Sequence, residues 1–470
     1  MQSLLSRVAL GMVLMASAAH AGGHHGHRHG ENYFFVEEAS RLPPNTEQAD
    51  TSSTGVNLVD VDGDGDLDIF LAEGTASIDP RPNILLINNG HGFFTDQSAT
   101  RLPPTVENSA KADFADVNSD GCPDGIVAVV GPEQLLLNDC HGHFSDASGQ
   151  LPPPPDIFHD ISSNAHFADV NGDGCPDILV SNENPFDPAP DHGAQNWVWI
   201  NQTVPTDDFR HGHHHHLECT GVFTDETAAR LPALNDQTGA MLTADIDGDG
   251  DLDIVVLDRG QDRIYINDGD GFFSDETALR FPVNSDSTRG GAIVDLNGDG
   301  LLDIVTSNSR NQPPQVYFNI GDGFFVQGTF GYTELPAETD TELLVDDLNG
   351  DGFPDVYIAN AGAFDGVHNF GGGVDHFFEG HHGHFTDVSA AHATFPVAQA
   401  STAAAFGDLD GDGDDDLVVA GTGNGEQGRE RIFIQKHHHD KDHDKDHDKD
   451  HDKDHDKDHD GHHDDDCDGD

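Results

Sequence analysis

A nine-residue acidic loop, Asp-x-Asp/Asn-x-Asp-Gly-x-x-Asp, recurs along this chain and limits its possible folds more than any other feature. Seven copies begin at residues 60, 116, 169, 245, 295, 347 and 408, each between two short apolar runs, and are numbered here as loops 1 to 7. Side-chain oxygens at positions 1, 3, 5 and 9, with the main-chain carbonyl of position 7, are the hard ligands that Ca²⁺ prefers. Glycine at position 6 permits the tight turn around one ion. The repeated loops therefore predict both a repeat architecture and a metal.

The candidate metal ligands are the residues at positions 1, 3, 5, 7 and 9 of each loop, with position 7 contributing its carbonyl. The alternative, a solvated Asp-Gly turn without an ion, requires only one or two such residues rather than four at ligand spacing. The side-chain or carbonyl donors are Asp60, Asp62, Asp64, Asp66, Asp68, Asp116, Asn118, Asp120, Cys122, Asp124, Asp169, Asn171, Asp173, Cys175, Asp177, Asp245, Asp247, Asp249, Asp251, Asp253, Asp295, Asn297, Asp299, Leu301, Asp303, Asp347, Asn349, Asp351, Phe353, Asp355, Asp408, Asp410, Asp412, Asp414 and Asp416.

The charge of the chain agrees with bound cations. Its 470 residues carry a formal net charge of -66, and much of the acid lies in the loops and the C-terminal tail. Four uncompensated carboxylates in one loop repel one another, so we expect the chain to resist compaction without cations. The same acidity argues against nucleic-acid binding, which needs a basic surface.

The spacing of the loops, 50 to 76 residues, indicates stacked supersecondary units. In the clearest unit an apolar strand at 241–244 enters loop 4, and strands at 254–257, 263–267 and 271–275 follow, joined by tight Gly-Asp turns. Four short strands per repeat predict one blade of a β-propeller. The fold class is therefore all-β, a seven-bladed β-propeller.

Closure of the ring is predicted from the chain ends. The first six loops are each followed by a Phe-containing fourth strand, whereas no such strand follows the segment 431–434 after loop 7. The missing strand is found at 33–37, near the N-terminus. We expect it to complete the seventh blade, which removes free sheet edges.

Over residues 33–435 the chain resembles the FG-GAP/VCBS repeat family, whose best-known members are the calcium-binding blades of integrin α-subunit propellers. The resemblance rests on the seven acidic loops. It implies that each loop joins the first and second strands of a blade on one face of the disc. It also implies that positions 1, 3, 5 and 9 hold the ion.

The cysteines test this register. Cys122 and Cys175 occupy position 7 of loops 2 and 3, and Cys140 and Cys219 each precede the Phe of the fourth strand in the same blades. These positions meet at one end of antiparallel neighbouring strands, so we predict the disulfides Cys122–Cys140 and Cys175–Cys219. Free or metal-binding thiols are the alternative. Cys467 is left over in the tail.

The N-terminus has the pattern of an export signal. Arg7 precedes an apolar run at 8–16, and Ala19-His20-Ala21 fits a small-x-small cleavage site. No segment is long enough to span a bilayer after cleavage, so we expect an exported protein that is periplasmic, secreted or at the cell surface. The predicted organisation is a signal peptide at 1–21, a His-rich segment at 22–32, the propeller at 33–435 and a disordered tail at 436–470.

Histidine-rich segments lie outside the repeats. Cleavage after Ala21 would leave Gly-Gly-His24, whose four nitrogens suit Cu²⁺ or Ni²⁺ in a square plane. A second run, 211–216, interrupts the third blade, and the tail repeats Asp-Lys-Asp-His. The tail fits either a weak, multivalent Zn²⁺, Ni²⁺ or Cu²⁺ ligand or a simple solubilising segment.

Three functions follow from these features. The first is a non-enzymatic extracellular binding or adhesion module on a monomeric, calcium-stiffened propeller, with an extracellular protein or glycan as partner. The second is extracytoplasmic capture or buffering of Zn²⁺, Ni²⁺ or Cu²⁺. The third is a polysaccharide-acting enzyme, which is disfavoured because no nucleophile motif or acid/base pair lies outside the loops.

Overall fold

The computed structural model describes residues 33–43, 53–74, 80–153, 161–183, 193–207, 215–309, 312–330, 340–361, 373–389, 400–421 and 430–437. The signal peptide predicted at 1–21, the His-rich segment 22–32 and the tail beyond residue 437 lie outside these ranges, as does the Gly-rich segment 423–428. The last strand ends at His437, so it runs past the domain boundary predicted at residue 435.

The described residues form short β-strands in almost every segment. In chain order the strands are β1 (Tyr33–Glu37), β2 (Ser53–Val59), β3 (Asp68–Glu73), β4 (Ile84–Asn88), β5 (Phe94–Asp96), β6 (Ser109–Ala115), β7 (Asp124–Val129), β8 (Gln134–Asn138), β9 (Phe144–Asp146), β10 (Ser162–Ala168), β11 (Asp177–Asn182), β12 (Trp197–Asp207), β13 (His215–Asp225), β14 (Thr238–Ala244), β15 (Asp253–Gly260), β16 (Arg263–Asn267), β17 (Phe273–Asp275), β18 (Asp286–Val294), β19 (Asp303–Asn308), β20 (Gln315–Asn319), β21 (Phe325–Gln327), β22 (Asp340–Asp346), β23 (Asp355–Asn360), β24 (His376–His381), β25 (His384–Asp387), β26 (Ser401–Gly407), β27 (Asp416–Gly421) and β28 (Arg431–His437).

Antiparallel pairing groups these strands into four-stranded units, numbered here by the acidic loop that joins their first two strands. Units 1, 2, 3 and 6 are β2–β5, β6–β9, β10–β13 and β22–β25. Units 4 (β14–β17) and 5 (β18–β21) are joined through β15 and β18 by two residue pairs at their ends. Unit 7 has the order β26-β27-β28-β1. The N-terminal strand therefore pairs with β28, as the sequence predicted.

The sequence pattern of each strand agrees with its place in the unit. All six residues of β3, β7, β11, β19, β23 and β27 are buried, which suits second strands covered on both faces. The predicted strand positions in unit 4 are correct, but β14 starts at Thr238 and β15 extends to Gly260, so both are longer than expected.

Short helices after the fourth strands were not predicted. They are α1 (Ser98–Arg101), α2 (Thr227–Arg230) and α3 (Thr277–Arg280), and single 3₁₀ turns occupy 39–41 and 148–150. Each α-helix starts at the Ser or Thr of an Asp-x-Ser/Thr sequence. In unit 4 the Asp275 carboxylate accepts the Thr277 N–H at 3.0 Å, and the Thr277 hydroxyl accepts the Ile264 N–H at 3.0 Å.

The first strands of the units contact one another in ring order. β2 contacts β6, β6 contacts β10, and the series continues through β14, β18, β22 and β26, which contacts β2 again. The apolar core is divided in the same way, because each cluster joins two successive units. Phe70 and Leu85 of unit 1, for example, pack with Val127 and Leu136 of unit 2.

The two tryptophans lie in the cluster between units 2 and 3. Trp197 and Trp199 are 7% and 2% exposed, and their rings stack with centroids 5.5 Å apart. They pack with Ile126 and Leu135 of the preceding unit. Their role is therefore packing between units.

Two disulfides join loops 2 and 3 to the turn before the fourth strand in unit 2 and to the fourth strand itself in unit 3. Cys122 bonds to Cys140 and Cys175 bonds to Cys219, with Cα–Cα distances of 5.3 and 5.4 Å. Both predicted pairings are confirmed, and with them the register of these units.

One ion pair crosses the middle of the ring. Lys111 lies on β6 of unit 2, and Glu342 lies on β22 of unit 6. The first strands of these units are not neighbours in the ring order, yet Lys111 Nζ lies 2.6 Å from Glu342 Oε2. The two side chains are 19% and 11% exposed. The pair therefore links opposite parts of the ring where each charge has lost most of its water.

We expect Lys111→Met to destabilise the fold by about 1–3 kcal/mol, because Glu342 is left with a mostly buried charge and no cationic partner. Urea unfolding at neutral pH measures the loss. The double variant Lys111→Met/Glu342→Gln is the control, and it should recover most of the stability. Strictly additive losses in the double variant would show that the two side chains do not act as a pair.

Candidate metal centres in the acidic loops

The first aspartate of each loop organises the turn. In all seven loops its carboxylate accepts the N–H of the position-6 glycine at 2.8–3.0 Å. That glycine has a positive φ, 95° at Gly65 and 101° at Gly250, which side chains disfavour. The sequence Asp-x-x-x-x-Gly thus closes each loop through its own backbone.

The ninth aspartate is the first residue of the second strand and is fixed from two sides. One carboxylate oxygen accepts the N–H of loop position 2 at 3.1–3.3 Å. A carboxylate oxygen also accepts a backbone N–H from the third strand of the unit, which is β28 in unit 7, at 2.8–2.9 Å. The ninth aspartate therefore ties the loop to the sheet.

Burial raises the pKa of these ninth-position carboxyls. The pKa reaches about 8 for Asp177, Asp355 and Asp416, about 7 for Asp68, Asp124 and Asp253, and about 6 for Asp303. Loss of water is the main cause, the other loop carboxylates add to it, and the backbone hydrogen bonds oppose it. A nearby divalent cation would reverse the shift, because it favours the ionised form.

Loops 1, 4 and 7 bring three carboxylates together. One oxygen from each of positions 1, 3 and 9 lies within 4.8 Å of the others; the groups are Asp60, Asp62 and Asp68; Asp245, Asp247 and Asp253; and Asp408, Asp410 and Asp416. Ca²⁺–oxygen distances of about 2.3–2.6 Å separate two ligands of one ion by up to about 5 Å. The spacing of the three oxygens therefore fits a single ion.

The third-position carboxylates in these loops have an oxygen that lacks a hydrogen-bond partner among the described residues. Oδ1 of Asp62, Asp247 and Asp410 is buried and accepts no hydrogen bond there. An orphaned, buried carboxylate oxygen costs free energy unless a cation or a donor reaches it. The same atom in three separate loops thus fits a cation as the missing partner.

The other four loops differ at positions 3 and 7. They have Asn118, Asn171, Asn297 and Asn349 in place of the third aspartate, and their position-7 residues are Cys122, Cys175, Leu301 and Phe353. The amide of Asn297 donates to Asp303 at 3.0 Å and that of Asn349 donates to Asp355 at 3.3 Å. These loops have one less acid at position 3, and their third residues already have partners.

The position-5 aspartates are not members of the three-carboxylate groups. The position-5 aspartate accepts the position-7 N–H, for example from Asp66 to Asp64 at 3.1 Å, and Asp64 is exposed. At position 7 the sulfurs of Cys122 and Cys175 are held in disulfides, so their thiols are not available as ligands. Leu301 and Phe353 offer only their main-chain carbonyls.

Arginines near three loops were missed in the sequence. Arg101, Arg280 and Arg41 pair with the third-position carboxylates Asp62, Asp247 and Asp410 through Oδ2, at 3.1, 3.5 and 3.1 Å. The expectation that the loop carboxylates are uncompensated without a metal is therefore wrong for loops 1, 4 and 7. The signal was present as the repeated Arg-Leu/Phe-Pro after the fourth strand.

The histidine segments fall almost entirely on residues that the structure does not describe. His24 and the tail beyond residue 437 lie outside the described residues, and so does the stretch 208–214 between β12 and β13. Copper, nickel or zinc binding by them stays a prediction from the sequence. In the described ranges no helix is long and apolar enough to cross a membrane.

Comparison with solved structures finds β-propellers. They include an Agrocybe aegerita lectin that recognises non-reducing terminal N-acetylglucosamine (19% identity, TM-score 0.44, covering 72% of this chain and 79% of the lectin chain). Others are the V. cholerae biofilm matrix protein Bap1 (10%, 0.43, 86% and 91%) and YCF48 from Cyanidioschyzon merolae (10%, 0.46, 85% and 98%). At these values the similarity carries no inference about a ligand. No curated protein matches the chain.

A family model describes most of the acidic loops. The FG-GAP-like repeat matches residues 60–127, 245–306, 295–358 and 347–419, which together cover more than half of the chain. Every match starts at the first aspartate of a loop, and only loop 3 lies outside all four. The all-β units, the repeated loops and these matches agree, and the chain belongs to the FG-GAP-like repeat family.

Proposed function

We propose that this protein is an exported, calcium-binding β-propeller of seven blades that acts as a non-enzymatic extracellular binding or adhesion module. Each four-stranded unit is one blade, β1 closes the ring, and Ca²⁺ in the acidic loops is structural. The two disulfides are compatible with an extracellular location.

The observation that carries the calcium proposal is the orphaned oxygen of the third aspartate in loops 1, 4 and 7. It lies in a group of three carboxylates whose oxygens have the spacing of ligands around one ion. Carboxylate oxygens in a flexible loop favour Ca²⁺ over Mg²⁺, which requires a near-ideal octahedron and keeps its water. Occupation of these loops would offset the charge that opposes closure of the ring.

The binding role is supported by the rigid ring and by the variable connections between second and third strands, away from the acidic loops. These connections include residues 74–83, 183–196 and 361–375, parts of which lie outside the described residues. Loops held by a rigid scaffold are the usual place for recognition. The partner is an extracellular protein or glycan.

Calcium should raise the melting temperature of metal-stripped protein. If the ion binds only the folded form, each site at 100-fold saturation adds about 2.7 kcal/mol, or roughly 3 °C for a domain of this size. Scanning calorimetry with and without Ca²⁺, with isothermal titration for stoichiometry, measures both quantities. Mg²⁺ at equal concentration is the control. A melting temperature that changes with neither calcium nor EDTA would reject a structural role for calcium.

The stability of the metal-free protein should fall as the pH rises from about 4 to about 8. Folded pKa values of about 6 to 8 at the ninth aspartates exceed the unfolded value of about 3.9, so the folded form binds more protons in this window. This contribution is complete below the unfolded pKa and is lost through the folded pKa. Added Ca²⁺, which binds the ionised form, should reverse the trend.

Urea unfolding of metal-stripped protein at about pH 5.5 and about pH 8, each repeated with Ca²⁺, checks this sign. The calcium-induced gain should be larger at the higher pH. A metal-free protein that becomes more stable between these two values would contradict desolvation as the dominant effect on the ninth aspartates.

The adhesion role predicts a ligand for the calcium-loaded ring. A screen of immobilised glycans and extracellular matrix proteins should give saturable binding that disappears in EDTA and returns with Ca²⁺. Hydrolysis of a bound polysaccharide during the screen would instead favour the enzyme reading. Failure to bind any glycan or matrix protein while the ring is folded and calcium-loaded would count against adhesion.

A further inference from the structure

Four arginines occupy the same place in units 1, 3, 4 and 7. Each follows the fourth strand of its unit and reaches the turn between the third and fourth strands of the next unit. Their guanidinium groups donate to the carbonyls of His91 (from Arg41, 2.9 Å), His141 (from Arg101, 2.7 Å), Asp270 (from Arg230, 2.6 Å) and Asp322 (from Arg280).

Each arginine is also held by its own unit. Nε donates to an acidic or amide side chain three or four residues earlier, at 2.5–2.8 Å, for example from Arg101 to Gln97. Three of the guanidinium groups lie over the Phe of the next turn, as Arg230 does over Phe272 at 4.7 Å. The arginine therefore spans the contact between two units in a fixed orientation.

The neighbouring turn has no room for a side chain where the guanidinium enters. A Cβ added to Gly142 would lie 2.2 Å from Arg101 Nη1 and 3.3 Å from Asp62 Cβ. A Cβ added to Gly92 would lie 2.2 Å from Arg41 Nη1 and 3.3 Å from Asp410 Cβ. The third aspartate, the arginine and the next turn are thus packed together.

Each aspartate at loop position 3 has an arginine as its partner, but an arginine in this place also occurs beside an asparagine loop. Where position 3 is aspartate (Asp62, Asp247 and Asp410), an arginine pairs with it. Where position 3 is asparagine, the matching residue is Gln150 beside Asn118 in unit 2, or Arg230 near Asn171 in unit 3. Arg230 forms an ion pair with Glu226 and, among the described residues, with no carboxylate of its own loop.

We propose that Arg41, Arg101 and Arg280 are positioning residues that act as built-in counter-ions of loops 7, 1 and 4 and couple the ion content of each loop to its contact with the next unit. Each arginine forms its ion pair with Oδ2 of the third carboxylate. The buried Oδ1 of the same carboxylate is not part of that pair. The coupling rests on the proposed calcium binding.

The electrostatic consequence has a definite sign. Without an ion, Arg101 is the cation that offsets the carboxylates of loop 1, so its loss leaves them to repel one another. With Ca²⁺ present, two positive charges already offset the same carboxylates, and the arginine contributes mainly its contacts to the next unit. In these three loops the arginine therefore offsets the extra acid at position 3, so the ring stays closed when the ion is absent.

The test compares Arg101→Gln with wild type in EDTA and in saturating Ca²⁺. We expect a larger drop in melting temperature in EDTA than in calcium, so the calcium-induced rise is larger in the variant than in wild type. In an Asp62→Asn background, Arg101→Gln should lose this difference and lower the two melting temperatures equally, because loop 1 then has no third carboxylate for the arginine to neutralise.

Arg230→Gln is the matched control. It removes the equivalent contacts to the side chain four residues earlier and to the next turn, and also a contact with Phe272 that has no counterpart at Arg101, but no ion pair with loop 3 among the described residues. Its melting temperature should drop by equal amounts in EDTA and calcium. If Arg101→Gln does not fold, Arg280→Gln takes its place, since its pair with Asp247 is longer at 3.5 Å.

The outcomes separate the two proposals. A wild type that does not respond to calcium rejects the proposed function itself. A wild type that calcium stabilises, with equal losses for Arg101→Gln in the two media, overturns only the coupling. A loss for Arg101→Gln confined to calcium also overturns it, because the arginine would then serve to orient the carboxylate for the ion.

Discussion

Concentrated negative charge at the entry to each second strand is the constraint on which this fold depends. The ninth aspartate of every loop is both the start of a second strand that is wholly or mostly buried and the least hydrated acid of its loop. Its hydrogen bonds to the loop and to the strand beside it connect turn, sheet and candidate ion site through one side chain. Any cation that reaches the loop therefore acts directly on the pairing of the strands.

The charges around the loops are not equivalent. Three loops carry an additional acid and an arginine, whereas four have asparagine at the same position. The arginine contacts both its own unit and the next one. The residue that offsets a charge in one loop therefore also contributes to the contact between two neighbouring units. The Lys111–Glu342 pair adds a link of another kind, between two units that are not neighbours in the ring order.

Local patterns in the sequence were sufficient for the repeat, the loops, the closing strand and the two disulfides. Glycine and aspartate at fixed offsets define the turns. Cys122 and Cys140 of unit 2 have counterparts at equivalent positions in unit 3, so a single strand register was enough for these predictions. The arginines were missed because Arg101 is separated in sequence from both Asp62 and His141, and neither contact follows from a local pattern. The pairing of Lys111 with Glu342 depends on the ring itself. Strand limits such as Thr238 and Gly260 depend on neighbouring strands, which the apolar run alone does not show.

Pairing of β1 with β28 determines where both ends of the ordered chain leave the ring. Tyr33 lies opposite His437 in the register of these strands, so the two exit points are separated by about 5 Å, the distance between adjacent strands. Whatever precedes residue 33 and follows residue 437 is consequently tethered to one edge of one unit. Fluorophores attached at positions 33 and 437 would mark the same spot on this edge, and energy transfer between them would report directly whether the edge is intact.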